Sequence, residues 1–430
     1  MKTLRKIFLI LLTVLLALSV SACSAKSGER AWGAYPDMSE YGDIDDGDGD
    51  KSDEGDITGG VQSPVRKQLT AGEWRDADNY EFWLNLFREG QSDNGNGGQS
   101  DKSSQRGIFN SYLSAPRGLN TQDMHVVSVI CGGSPVGGAK VKLYRGGEVI
   151  FEAVSDNEGR AYVFGENADE VEACSGQYSA RALLADGVTE IELSGSEKAA
   201  NAIDIVIVVD TTGSMGDEIE FLKKEIDGIV RRLRSALDAQ ISVGLVFYRD
   251  DCDKKSSYLL RSFPLAEVNS DAGLSAVRKN IAAQNADGGG DYPERPDLAL
   301  ETAVNMQFTE GSTRLIYHFL DAPCHDKQSC TGVFSSSVIK AASKGVRIIP
   351  VAASGLDTFG QYLMRSAALL SGGTSAFLTD DSGFGDHHEL PAVVPYVVEY
   401  LSDLIVRLTA DYHSGTRTPP VSWKQTSAVA

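Results

Sequence analysis

From residue 201 onward the chain switches repeatedly between unbroken β-branched runs and helical stripes. Ile203 to Val209 is nearly all Ile and Val, the pattern of a strand buried on both faces. Ile219, Leu222, Ile226, Ile229, Val230, Leu233 and Leu237 then fall on one stripe, which predicts a helix over 216–237. Asp217 and Glu218 open that helix and Arg231, Arg232 and Arg234 close it, as the helix dipole favours. Further strands are predicted at 241–248, 258–263, 314–320, 346–351 and 374–378. Helices are predicted near 271–283, 295–306, 334–344, 357–371 and 391–409. Alternation of this kind predicts an α/β domain over 201–410, with a doubly wound, mostly parallel sheet and a flexible tail at 411–430.

Upstream the period changes. Met124 to Ile130, Ala139 to Tyr144, Val149 to Ser155 and Arg160 to Phe164 read as strands. Turn clusters such as Gly132-Gly133-Ser134-Pro135 and Asp156-Asn157-Glu158-Gly159 separate them. No helical pattern intervenes, so 120–196 is expected to be a small all-β sandwich. Residues 70–119 hold an aromatic cluster, with Trp74, Tyr80, Phe82, Trp83 and Phe87, followed by a Gly/Ser/Asn/Gln linker. The aromatic stretch 70–90 is expected to form a short amphipathic helix that packs against a later domain.

The N-terminus reads differently again. Lys2, Arg5 and Lys6 precede an apolar run from Ile7 to Val20, then Ser21, Ala22 and Cys23. At roughly 14 residues the run is short for a spanning helix and suits a secretory signal over 1–22. Val20-Ser21-Ala22-Cys23 resembles a bacterial lipobox. That resemblance implies cleavage before Cys23, lipidation of its thiol and an extracytoplasmic, membrane- or surface-tethered protein. Residues 23–69 are rich in Gly, Ser and Asp, cannot bury a core and read as a disordered acidic tether. Asp46, Asp48 and Asp50 alternate as in a calcium loop, but Lys51 and Ile57 stand where such a loop needs Gly and Glu.

Charge narrows the function. The chain has 60 Asp+Glu against 40 Lys+Arg, a formal net charge of -20, and loss of the signal segment would make it more negative. Nucleic acid is an unsuitable partner for such a surface, whereas cations and basic proteins suit it. No later stretch is long and apolar enough for a membrane helix, so membrane contact is expected through the N-terminal lipid only. Outside the cytosol disulfides are allowed, and Cys131 with Cys174 and Cys324 with Cys330 are the candidate pairs; buried free thiols are the alternative.

Chemistry concentrates after the first α/β strand. Asp210, Thr212 and Ser214 put a carboxylate and two hydroxyls on one tight strand-to-helix loop, a donor set for a hard divalent cation. Gly288-Gly289-Gly290-Asp291-Tyr292-Pro293-Glu294 is a glycine-rich loop entering a helix, and Asp321 ends the strand 316–320. A parallel sheet brings all three loops to one rim. These residues resemble the metal-ion-dependent adhesion site of von Willebrand factor A domains. The match is Asp210, Thr212 and Ser214 for the first element and Asp321 for the last, with Asp291 in place of a distant Thr. The upstream pattern from Pro135 to Leu143, with Ser155 to Ala161, resembles the carboxypeptidase regulatory-like, transthyretin-type domain.

The resemblances imply a Rossmann-like fold and a divalent cation, Mg²⁺ first with Mn²⁺ or Ca²⁺ as alternatives. They also imply binding of a protein partner without catalysis. Three carboxylates around one divalent ion leave the site negative before a partner arrives, so the ion is expected to be held constitutively. The alternative is an envelope scaffold or assembly factor whose metal is mainly structural. Thr212-Gly213-Ser214-Met215-Gly216 lacks the first Gly of a nucleophile elbow, and the 288–290 glycines lack the Lys of a phosphate loop. His387, His388 and Glu389 read as a surface loop, and His325 beside Cys324 and Cys330 lacks enough ligands for zinc.

Overall fold

The computed structural model describes residues 68–88, 107–113, 119–255, 257–353, 355–383, 393 and 395–429. The signal segment, Cys23, most of the tether and His387 to Glu389 lie outside the described residues. Among the described residues no helix is long and apolar enough to cross a membrane.

In chain order the first elements are β1 (Thr70–Trp74) and α1 (Tyr80–Asn85). The sandwich follows: β2 (Met124–Cys131), β3 (Ser134–Pro135), β4 (Lys140–Arg145), β5 (Glu148–Val154), β6 (Arg160–Phe164), β7 (Glu170–Ser175), β8 (Tyr178–Leu183) and β9 (Val188–Glu192). Strands β3, β6 and β9 all pair with β2, and the second sheet runs β5-β4-β7-β8. Alternating residues such as Val141, Leu143, Val171 and Ala173 face inward with almost no exposure, which is the period-two burial of a sandwich.

The α/β part begins with β10 (Ala202–Asp210), α2 (Gly216–Ala236), β11 (Gln240–Tyr248), β12 (Leu260–Glu267), α3 (Asp271–Ala282) and α4 (Pro296–Val304). It continues with β13 (Thr313–Leu320), α5 (Gln328–Lys344), β14 (Val346–Ala352), α6 (Thr358–Ser371), β15 (Ser375–Thr379), β16 (Glu399–Tyr400), α7 (Leu401–Ser414) and α8 (Trp423–Val429). The sheet order is β12-β11-β10-β13-β14-β15-β1-β16, with parallel pairing from β11 through β15. Ile203, Ile205, Ile207 and Val209 of β10 pack with α2, α3 and α7, while Val206 and Val208 join the core of α4, α5 and α6. The continuous β-branched run is thus explained: both faces of the strand are covered by helices.

The sandwich docks on the outside of the α4–α6 layer and shares its apolar core. Trp83 is fully buried there, against Phe87 and Phe109, and Tyr362 of α6 closes the aromatic cluster. Polar ties cross the same boundary. The Asn157 amide donates to the Tyr412 and His413 carbonyls at 3.0 and 2.8 Å, and Arg347 donates to the Val154 carbonyl at 2.7 Å.

Several expectations are corrected. Thr70–Trp74 is not helical. It is a strand inserted between β15 and β16, paired antiparallel from Thr70 opposite Thr379 to Trp74 opposite Ser375. Gly72 is required there, because a Cβ would sit 2.5 Å from the Phe377 ring. Arg407 of α7 binds Glu73 of β1, Glu399 of β16 and Asp411, which gathers the late elements around β1. The last long helix starts at Leu401, since Glu399 and Tyr400 pair with β1, and the tail beyond 411 carries α8. The helix expected at 334–344 begins at Gln328.

Among the described residues Cys131, Cys174, Cys252, Cys324 and Cys330 are free thiols. Cys131 ends β2 in one sheet and Cys174 lies on β7 in the other. Cys324 is held by a bridge to Glu294, and Cys330 is fixed on the first turn of α5 by its amide bond to the Lys327 carbonyl.

Trp83→Ala removes the largest side chain shared by sandwich and α/β layers. We expect a loss of about 3–5 kcal/mol in unfolding free energy, read from the urea midpoint, with one unfolding transition retained.

Candidate functional site

Parallel register sets the site. Asp210 lies opposite Tyr248, and Val209 lies opposite Phe319, so β10, β11 and β13 finish together and release their loops at one edge. Backbone bonds lace those loops. The Gly213 amide donates to the Gly288 carbonyl at 3.3 Å, Asp287 to Thr211 at 3.1 Å, and Glu294 to Pro323 at 3.0 Å. Gly288 and Gly289 adopt φ of 79° and 81°, a region that disfavours side chains. A Cβ on Gly288 would also sit 2.1 Å from Asp253.

Asp210 is fully buried. Its Oδ1 accepts from the Thr212 amide at 2.9 Å and the Thr212 hydroxyl at 2.8 Å. Its Oδ2 is buried with no well-formed hydrogen bond, and among the described residues the Tyr248 hydroxyl is the one further donor beside the carboxyl. Burial, and then the charge of Asp321, push the Asp210 carboxyl up to about 7. Asp321 is likewise raised by burial, partly offset by a hydrogen bond from Ser214, and Ser214 itself is exposed. Asp321 thus neighbours both Asp210 and Ser214, Thr212 is tied to Asp210, and Ser214 carries the group to solvent.

Glu294 is the acid that sequence reasoning missed. It is 3% exposed, and its Oε2 has no hydrogen-bond partner. Burial, followed by the charges of Asp210, Asp250, Asp321 and Asp253, pushes it up to about 9. Glu218 was read only as a dipole partner. It is buried, and burial, then its contact with Asp217, raise it well above the ordinary range, with Asp321 adding least. The proline-glutamate pair closing the glycine loop was the available signal for Glu294, since a helix starting at Pro296 points the preceding residues back toward the rim.

Asp291, expected beside Asp210, is exposed. Its carboxylate groups with Asp250 and His325, their ligand atoms all within 4.8 Å of one another. His325 Nε2 lies 3.0 Å from Asp250 Oδ1, and the Cys252 amide donates to Asp250 Oδ2 at 3.1 Å. The partners that sequence spacing could not give His325 are supplied by the loops after β11 and before α4.

Among the described residues the floor of the site carries no compensating charge. The buried Tyr248 hydroxyl lies 3.3 Å from His318, whose fully buried imidazole is pushed down to about 3 and is neutral. Arg295 is engaged by Asp251 and Asp297, and Arg249 reaches the Asn285 carbonyl and the face of Tyr258. A buried carboxylate oxygen without a partner is costly, and a divalent cation is the donor set's natural complement. Asp210, Thr212, Ser214 and Asp321 fit such an ion, with Glu294 facing them. Bound there, it would supply positive charge and an open coordination position toward solvent.

Residues 204–354 match the von Willebrand factor A domain family. The chain contains a von Willebrand factor A domain. The match runs from β10 through β14 and so includes all three rim loops. Among curated proteins, an alpha-protein kinase of Dictyostelium discoideum is 30% identical over 131 residues, covering 30% of this chain and 20% of its own length. A protein of Acanthamoeba polyphaga mimivirus, described as an ariadne-like RING finger protein, is 30% identical over 138 residues, covering 32% and 12%. The chain thus spans a fifth or less of the length of these relatives. Among solved structures, the pilus adhesin SpaC from Lactobacillus rhamnosus GG aligns over 66% of this chain and 35% of its own, at 11% identity and a TM-score of 0.34.

The raised carboxyls give the von Willebrand factor A domain a defined pH response. In the cation-free fold Asp210 and Glu294 hold protons more tightly than in the unfolded chain. Their contribution is therefore full below about pH 4 and is lost as pH rises through about 7 and then about 9. Chelated protein should show a urea midpoint that falls from about pH 5 to about pH 9, and saturating Mg²⁺ should flatten that fall. A midpoint that climbs over this range in chelator would contradict the assignment.

Proposed function

We propose that this protein binds a divalent cation, Mg²⁺ in the first instance, through Asp210, Thr212, Ser214 and Asp321, and uses that rim to bind another protein. Glu294 replaces Asp291 as the additional acid of the crown. The observation carrying this reading is the buried Oδ2 of Asp210, which lacks a well-formed hydrogen bond and is set beside Asp321 and beneath an exposed Ser214. A cation there would meet buried carboxylates on one side and solvent, or a partner's oxygen, on the other.

With Asp210, Asp321 and Glu294 all ionised, a divalent ion leaves the crown with a net negative charge. Such a crown grips its ion and attracts a partner's carboxylate weakly, so partner contacts rely on the rim's hydrogen-bonding groups and on basic side chains. The inferred role is binding without turnover. We also infer, from the N-terminal sequence, that the protein is lipid-anchored at Cys23 on the outer side of the membrane and held at a distance by its acidic tether. The von Willebrand factor A fold and the overall charge of -20 are consistent with that setting.

The test is calorimetric titration of the full chain with Mg²⁺, alongside cross-linking in cells. Asp210→Ala with Ser214→Ala is expected to abolish Mg²⁺ binding and the cross-linked partner together. Glu294→Gln should weaken Mg²⁺ by roughly 10–100-fold while leaving the fold intact. Mg²⁺ binding that survives the double substitution would defeat the reading. Loss of a co-purifying envelope protein would point to assembly of a complex, and loss of binding to external material to adhesion.

A further inference from the structure

Carboxyl groups at the rim outnumber those that one divalent ion would engage. Asp210, Glu218, Asp250, Asp253, Glu294 and Asp321 are each 7% exposed or less, and Asp291 adds an exposed carboxylate beside them. An ion at the Asp210 loop would engage Asp210 and Asp321 and leave the Asp250 group unserved. Glu294 neighbours both groups: a Cβ on Gly289 would lie 3.3 Å from its Oε1 and from Thr212 Cβ alike, and its backbone bridges to Cys324, the residue before His325. Its Oε2 is buried and has no partner. Two sets of donors therefore share one buried acid, and only one set has the all-oxygen chemistry of Mg²⁺.

We propose that Asp250, Asp291 and His325 form a second cation site for a divalent transition metal of the zinc class, next to the Mg²⁺ crown. The proposal rests on the crown reading for its charge balance alone. Three donors on three different loops meet with all ligand atoms within 4.8 Å, near enough for small side-chain movements to bring them onto one ion. The imidazole nitrogen selects against Mg²⁺ and for zinc-class ions. Asp250 is prepared for the task. The opposite oxygen of Asp250 is already oriented by the Cys252 amide at 3.1 Å, which leaves the oxygen facing His325 for the ion. A metal would take the place of the 3.0 Å contact between His325 Nε2 and Asp250 Oδ1, and the neutral ring would carry its proton on Nδ1.

Asp291 is exposed, so the fourth position opens to solvent at the same rim as Ser214. A partner reaching the crown would meet the second ion as well. Loops after β10, β11 and β13, together with the glycine loop, would then be tied by two ions.

The test uses the full chain, stripped with chelator, saturated with Mg²⁺ and titrated with Co²⁺ as a spectroscopic probe for zinc. The expected result is one bound Co²⁺ beyond the Mg²⁺, with the visible absorption of a nitrogen- and oxygen-ligated ion. Asp291→Asn and His325→Ala should each weaken Co²⁺ by at least about tenfold and leave Mg²⁺ affinity unchanged, which also reports an intact fold. Asp210→Ala should lose Mg²⁺ and keep Co²⁺. Unchanged Co²⁺ affinity in Asp291→Asn and His325→Ala overturns the proposal, as does displacement of Co²⁺ by Mg²⁺ in equal amount. Failure of the crown reading looks different: Mg²⁺ would persist in Asp210→Ala.

Discussion

Carboxylates withdrawn from water without a positive charge beneath them are the governing constraint of this structure. Asp210 closes a strand that is covered on both faces, and the residues below it offer only a tyrosine hydroxyl and a neutral histidine. Desolvating several such groups together costs far more than a small domain can spare unless protons or cations bind. The loops of the rim are arranged around that need. Thr212 folds back on one oxygen of Asp210, Ser214 reaches Asp321, and the glycine loop brings Glu294 in from the side.

Register and glycine geometry make the convergence possible. Because β10, β11 and β13 are parallel and end level, three loops distant in sequence leave the sheet within reach of one another. Gly288 turns through a left-handed conformation under the carboxylate of Asp253, and the Gly289 amide donates to that carboxylate at 3.0 Å. Any side chain there would push the glycine loop off the Asp210 loop, whose amide at Gly213 depends on the Gly288 carbonyl.

The strands and helices of the α/β domain were legible because their signals are local and long. Ile203 to Val209 and the Ile219-to-Leu233 stripe both declare their burial within one element. The sandwich was legible for the same reason, through period-two alternation between glycine turns. The rim was legible as far as Asp210, Thr212, Ser214 and Asp321, since each directly follows a recognisable strand. The choice between Asp291 and Glu294 was not, because it depends on how the glycine loop turns at Gly288 and Gly289. The pairing of Thr70–Trp74 was also hidden. Its alanine and glycine give little strand propensity, and its partner Thr379 is 309 residues away. His325 lacked visible ligands because Asp250 and Asp291 reach it only through the fold.

The placement of β1 has a mechanical side. The sandwich and the aromatic segment lie between β1 and β10 in sequence, yet β1 itself is woven into the sheet beside β15. Tension entering the chain upstream of Gln68 would be borne first by the short antiparallel ladder of β1 and by the Arg407 cluster that clasps Glu73 and Glu399. The sandwich stands off that line of load. A pull between Gln68 and the rim would therefore strain the far edge of the sheet and leave the β-sandwich slack.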